Sequence, residues 1–128
     1  MMMNQVKGEL RDGYWAETDE ASITWCGTYV DGKRTGLWTA EKPTGETKTM
    51  HYVAGQVQGH VYHFRANGSL EWDLEYLDGQ IHGRARFYAL DGTRLATYLY
   101  IHEKMHGTEE YQIHPETPPR AVTFLPKF

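Results

Sequence analysis

The chain has 128 residues, with 13 Lys+Arg against 17 Asp+Glu, a formal charge of −4 and a sequence pI near 5.9. That suits one domain and argues against a phosphate-tracking nucleic-acid binder, which shows a basic face. Hydrophobic residues are 40% of the chain, and no apolar run approaches the ~18 residues of a transmembrane helix.

The first residues, Met1-Met2-Met3-Asn4-Gln5-Val6-Lys7, contain no apolar h-region, so no secretory signal is expected. Cys26 is the single cysteine and has no internal disulfide partner. A reducing, cytoplasmic setting is the simplest expectation. Glycine supplies 13 residues and tyrosine nine. Thirteen glycines would be costly inside helices and point to turns and strands.

In chain order, residues 6–28 read as a degenerate first unit, with Gly13 followed by Tyr14 and Trp15. The clear repeats are 29–51, 52–75, 76–99 and 100–123. Each opens on a tyrosine: Tyr29, Tyr52, Tyr76 and Tyr100, spaced 23, 24 and 24 residues apart. A glycine follows seven residues later in each, at Gly36, Gly59, Gly83 and Gly107. A third glycine column holds Gly45, Gly68 and Gly92. Asn67-Gly68 and Asp91-Gly92 are dipeptides suited to a type I′ turn, and Lys42-Pro43-Thr44-Gly45 is a less clean version. Before each tyrosine the pattern alternates with period two. Leu70, Trp72, Leu74 and Tyr76 fall on one side, and Glu71, Asp73 and Glu75 on the other. That is the pattern of an antiparallel strand with one buried face.

The fold class expected is therefore all-β. Hairpins of ~24 residues stack into an elongated, twisted antiparallel sheet, because a lone hairpin buries too little surface to be stable. The tyrosines are expected to form a ladder of neighbouring rings along one face. The last unit is interrupted by a Pro-rich segment, 115–119. An extended stretch is expected there, before Ala121–Phe124 docks as an edge strand or cap.

The units Tyr76-Leu-Asp-Gly79-Gln-Ile-His-Gly83 and Tyr52-Val-Ala-Gly55-Gln-Val-Gln-Gly59 resemble the MORN repeat, Tyr-x-x-Gly-x-x-x-Gly followed by a hairpin. The 24-residue period with its Asp-Gly turn looks most like the bacterial variant. Glu103 departs from the glycine column and Glu116 from the turn-glycine column. The resemblance implies a non-enzymatic protein-binding array. In bacteria it implies an immunity- or antitoxin-like protein that neutralises a toxin by steric occlusion. The other kind of MORN protein implies a scaffold or membrane-proximal adaptor.

The residues themselves declare no catalytic set. The only serines are Ser22 and Ser69, neither in a Gly-x-Ser-x-Gly elbow. The glycines follow the repeat and precede no helix, so no phosphate loop is expected. Seven histidines invite a metal or small-ligand reading: His51, His60, His63, His82, His102, His106 and His114. His102 and His106 are four apart but fall on a predicted loop, and His60 and His63 should point to opposite faces. His82 and His106 share a loop column with Thr35 and Gln58, where a loop hydrogen bond or ring packing is the simpler role. Cys26 reads as a small packing residue. No cofactor and no metal are expected.

One local feature stands out. Glu71, Asp73 and Glu75 share a strand face, and Arg84, Arg86 and Tyr88 share one on the next strand. Two readings apply: a salt-bridged solvent face, or a charged surface that docks a protein partner. In the second, Tyr88, Tyr62 and Trp38 are the candidate aromatic anchors. Glu17, Asp19, Glu20, Glu41, Glu109 and Glu110 add to a negative field that would speed association with a basic partner. The expected partner is thus a protein, with no nucleic acid and no membrane. Open sheet edges leave self-pairing into a homo-oligomer as a further route.

Overall fold

The computed structural model describes residues 4–7, 10–102 and 104–111, with side chains for residues 4, 10–102 and 104. The Pro-rich segment 115–119, His114 and Phe124 lie outside the described residues. So do the side chains of His106, Glu109 and Glu110.

The described chain is all-β. Its strands are β1 (Gln5–Lys7), β2 (Leu10–Thr18), β3 (Thr24–Val30), β4 (Lys33–Glu41), β5 (Thr47–Val53), β6 (Gln56–Val57), β7 (Gly59–Phe64), β8 (Leu70–Leu77), β9 (Gln80–Tyr88), β10 (Arg94–Ile101) and β11 (Lys104–Tyr111). They form one antiparallel sheet of consecutive hairpins that does not close. The spatial order is β1-β2-β3-β4-β5-β7-β8-β9-β10-β11, with the short β6 beside β5. The degenerate unit read from sequence over 6–28, with the first residues of the next repeat, forms a full hairpin of β2 and β3.

Two turn types alternate, and they fall the opposite way from the sequence expectation. The two-residue turns with both central φ positive are Asp31-Gly32 (49°, 80°), Ala54-Gly55 (49°, 88°) and Asp78-Gly79 (50°, 83°). These type I′ turns lie inside the Tyr-x-x-Gly motif. At Asn67-Gly68 and Asp91-Gly92 only the glycine has positive φ, 89° and 90°. There the Gly68 N–H donates to Arg65 O (2.8 Å) and the Arg65 N–H to Ser69 O (2.8 Å), a type I turn closed by a left-handed residue. Asn67 and Asp91 serve instead as acceptors: Asn67 Oδ1 takes the Ser69 N–H (2.9 Å) and Asp91 Oδ1 the Thr93 N–H (2.8 Å). Ser22, at φ 65°, occupies the same place two units before Gly68, and Gly45, at φ 95°, the place between them.

The type I′ turns are also laced to the preceding unit. Gly32, Gly55 and Gly79 donate their N–H to Arg11 O (2.9 Å), Arg34 O (3.0 Å) and Val57 O (3.0 Å). Side chains repeat the link: Gln58 brackets Asp78 through Nε2–H to Oδ1 (2.6 Å), and His82 Nδ1 accepts the His102 N–H (3.3 Å).

One face of the sheet carries the core. Trp38, Ala40, Leu74, Ala85 and Tyr100 are almost wholly buried there. Large residues stand beside small ones across the ladder: Leu74 pairs with Ala85, and Ala85 with Tyr98. Gly27 shows the same complementarity, because the Trp38 ring occupies the space where a Cβ would stand. The repeat glycines Gly13, Gly36, Gly59 and Gly83 stand opposite Tyr29, Tyr52, Tyr76 and Tyr100. Burying each large aromatic contributes roughly 1.5–3 kcal/mol.

The aromatic ladder differs from the expected run of tyrosines. In a sheet with strands ~4.8 Å apart, residues one unit apart are about 10 Å from each other. In the first half of the array tryptophans fill the gaps, with ring centroids at 5.7 Å (Trp15–Tyr29), 5.1 Å (Tyr29–Trp38) and 6.2 Å (Trp38–Tyr52). Among the described residues no second layer covers this face. Arginines cover it instead. Arg11 lies over Trp15 (4.7 Å) and donates to the Tyr29 hydroxyl (3.1 Å). Arg34, in the same column one unit on, lies over Trp38 (4.4 Å) and donates to the Tyr52 hydroxyl (3.1 Å). The aliphatic stems shield apolar surface while the guanidinium groups meet the ring faces.

Candidate functional site

The acidic residues singled out in the sequence do not act together. Phe64 pairs with Leu70 and His63 with Trp72, so Glu71 is the extra residue of a β-bulge. The bulge parts Glu71 from Asp73 and Glu75. The result is two polar clusters.

The first holds Asp73, which is 7% exposed and therefore not part of a solvent face. Its Oδ1 lies 2.7 Å from His60 Nδ1 and its Oδ2 accepts from Arg86 Nη1 at 3.2 Å. Arg86 Nη1 also donates to Glu75 Oε2 at 3.0 Å. The His60 ring stacks on Tyr62, with centroids 5.5 Å apart and planes 7° apart. Asp73 and Arg86 face each other in the ladder between β8 and β9, as the sequence alternation suggested. Arg84 is exposed, while Tyr88 and Tyr62 are half-buried. Trp38 is the clearest correction: it is 0% exposed, donates from Nε1 to Thr28 O (3.1 Å), and cannot anchor a partner.

The second cluster is built around His63, which is 4% exposed. Its ring stacks on Trp72 with centroids 4.9 Å apart and planes 9° apart. Its Nδ1 lies 2.8 Å from Glu71 Oε1, and its Nε2 lies 3.5 Å from Glu46 Oε1. The carboxylates have cations behind them: Arg65 Nε is 3.6 Å from Glu71 Oε2, and Lys42 Nζ is 4.0 Å from Glu46 Oε2. Thr44 Oγ1 donates to Glu46 Oε2 (2.9 Å). Burial pushes the His63 pKa down, against the upward pull of Glu71 and Glu46. A ring nitrogen of His63 and one oxygen from each glutamate lie within 4.8 Å of one another, a donor set able to hold a metal ion.

The sequence reading missed this cluster, although a signal was present. Eleven residues after successive tyrosines stand Ala40, His63 and Phe87; four before them stand Trp25, Lys48, Trp72 and Ala96. His63 and Lys48 are polar residues in apolar columns, and they pair with each other across β5 and β7.

Lys48 carries its own cost. Its Nζ sits 5.5 Å from the Trp25 centroid. Burial, reinforced by Lys42 and Arg34, pushes its pKa down to about 8. The folded state thus releases a proton that the unfolded chain keeps until pH ~10.4, so the penalty is full below pH 8 and fades between 8 and 10.4. Lys48→Met is expected to raise stability at pH 7 by about 1–3 kcal/mol, with the gain shrinking as pH rises through that window. Chemical denaturation at pH 7 and pH 10 checks both the sign and the window.

On the face opposite the tyrosines, alternation places the residues that follow them. Val30, Val53, Leu77 and Ile101 are 49%, 51%, 42% and 39% exposed. They recur once per unit, about 10 Å apart by strand spacing. Leu37, at 64%, adds to the exposed apolar surface.

No protein-family model matches the chain, and no curated protein matches it. No helix among the described residues is long and apolar enough to cross a membrane.

Proposed function

We propose that the chain is a non-enzymatic protein-binding module whose contact surface is the row Val30, Val53, Leu77 and Ile101. The observation that carries this reading is the recurrence of a large exposed apolar side chain in one column of the repeat. Such a row presents an extended surface that a protein partner can cover. The formal charge of −4 favours a basic partner, drawn in by long-range attraction. The MORN resemblance supports the narrower reading: a cytoplasmic, bacterial immunity or antitoxin protein that occludes a toxin's working surface.

Charge reversal at Asp73 is a poor probe, since it would strike a buried ion pair. The row itself is the better target. The test is co-expression with the product of the adjacent gene, scored by growth and by isolation of a stoichiometric complex. The wild-type chain is expected to restore growth and to form the complex. Val53→Lys with Leu77→Lys is expected to abolish both while the melting temperature stays within about 3 °C, as for exposed sites. Failure of the wild-type chain to bind or rescue overturns the immunity reading. Rescue that survives the double substitution removes the row as the interface.

A further inference from the structure

We propose that Glu46, His63 and Glu71 form a binding site for a divalent transition metal of the zinc type, with one imidazole nitrogen and two carboxylate oxygens as ligands and water completing the shell. The site is independent of the protein-binding row, which lies on the other face.

The argument starts from the ring. A neutral imidazole carries one N–H, yet both nitrogens of His63 have a carboxylate oxygen close by, at 2.8 Å from Nδ1 and 3.5 Å from Nε2, and the shorter contact is not aligned as a hydrogen bond. One carboxylate therefore meets a nitrogen lone pair, a contact that only a cation between them makes favourable. A proton could serve, but an imidazolium at a position 4% exposed is disfavoured by desolvation. A metal ion takes the same place and needs the ring neutral and the carboxylates ionised.

The geometry agrees. Two donors bound to one ion at ~2.1 Å lie roughly 3.0–3.4 Å apart for bond angles between 90° and tetrahedral. The three ligand atoms stand within 4.8 Å of one another, so closing on an ion requires shifts of about 1 Å. The histidine is fixed by its stack on Trp72. The glutamate side chains, 32% and 40% exposed, can supply the movement. The cations behind the carboxylates are held only at 3.6 Å and 4.0 Å, longer than direct hydrogen bonds. One imidazole and two carboxylates suit zinc and its neighbours rather than magnesium or calcium, which take oxygen alone.

Lys48, the ladder neighbour of His63, opposes a divalent ion by charge, and this gives the proposal a signature. The experiment is titration of untagged, chelator-treated protein with Zn2+ by calorimetry and with Co2+ by visible absorption, with Mg2+ as control. One equivalent of Zn2+ is expected, with no Mg2+ uptake. Glu46→Gln and Glu71→Gln are each expected to weaken binding at least tenfold, and Lys48→Met to tighten it severalfold. Absence of Zn2+ binding overturns the proposal. So does binding that ignores all three substitutions, which would assign the ion to other histidines. A Glu→Gln variant that loses its cooperative melt is replaced by Glu→Asp, which keeps the charge but shortens the reach and is held to the same loss.

Discussion

Gly27→Ala is expected to destabilise the protein by about 3 kcal/mol or more, at the top of the range for an overpacked core. The reason is local and geometric. The Cβ of alanine would fall inside the Trp38 ring, against Cδ2, Cε2 and Cγ. Trp38 has little room to yield: it is fully buried, its indole N–H is bonded to Thr28 O, and Tyr29 and Tyr52 stand at its edges. For a domain of this size the change corresponds to a fall in Tm of roughly 10 °C. Trp38→Leu alone should also destabilise, through lost packing. Combined with Gly27→Ala, however, the overlap disappears, so the double variant should be more stable than the sum of the single effects. Thermal melts of the four proteins give the coupling directly. Additive losses would mean that the ring does not confront residue 27 as described.

Arg86→Met is the second large effect, a loss of about 3–5 kcal/mol, while Arg84→Met should stay within about 1 kcal/mol. The two arginines are equivalent in the sequence pattern but not in the fold. Arg86 bonds Asp73 and Glu75 from one nitrogen, in surroundings where the Asp73 side chain is 10% exposed. Without the guanidinium, two carboxylates are left together on one strand face, with His60 beside Asp73. Arg84 is exposed, where an ion pair is worth only about 0–1 kcal/mol. Urea denaturation of the two variants distinguishes them. Similar small losses would return the acid–arginine ladder to the status of a solvated surface.

The architecture was legible because it is written in repeated columns. The tyrosine spacing, the glycines and the period-two alternation each specify hairpins, and the described sheet consists of them. What the columns hid are the departures within them. Turn type was misassigned because Asn67 and Asp91 suit two roles, left-handed backbone and side-chain acceptor, and composition alone does not separate them. The ladder of tyrosines was incomplete because strand spacing leaves room for an intervening ring, supplied by Trp15 and Trp38. Trp38, a candidate surface anchor by sequence, is buried because the missing side chain of Gly27 leaves room for its ring. The Glu71 side chain left its strand-mates because of a single bulge, which moves one residue and carries no compositional mark. Lys48 and His63 broke apolar columns visibly, but their meaning required knowing that β5 and β7 set them side by side.

The pairing order has a consequence for how the molecule assembles. Each strand finds its partner a few residues away along the chain, so the contact order is low for an all-β protein. Among the described strands the entropy of loop closure is met in small steps, one hairpin at a time. Each hairpin alone is marginal, and the turn-to-strand bonds from Gly32, Gly55 and Gly79 couple it to its predecessor. Folding in such a chain behaves as nearest-neighbour propagation, in which growth can start from any adjacent pair of units and run toward both ends.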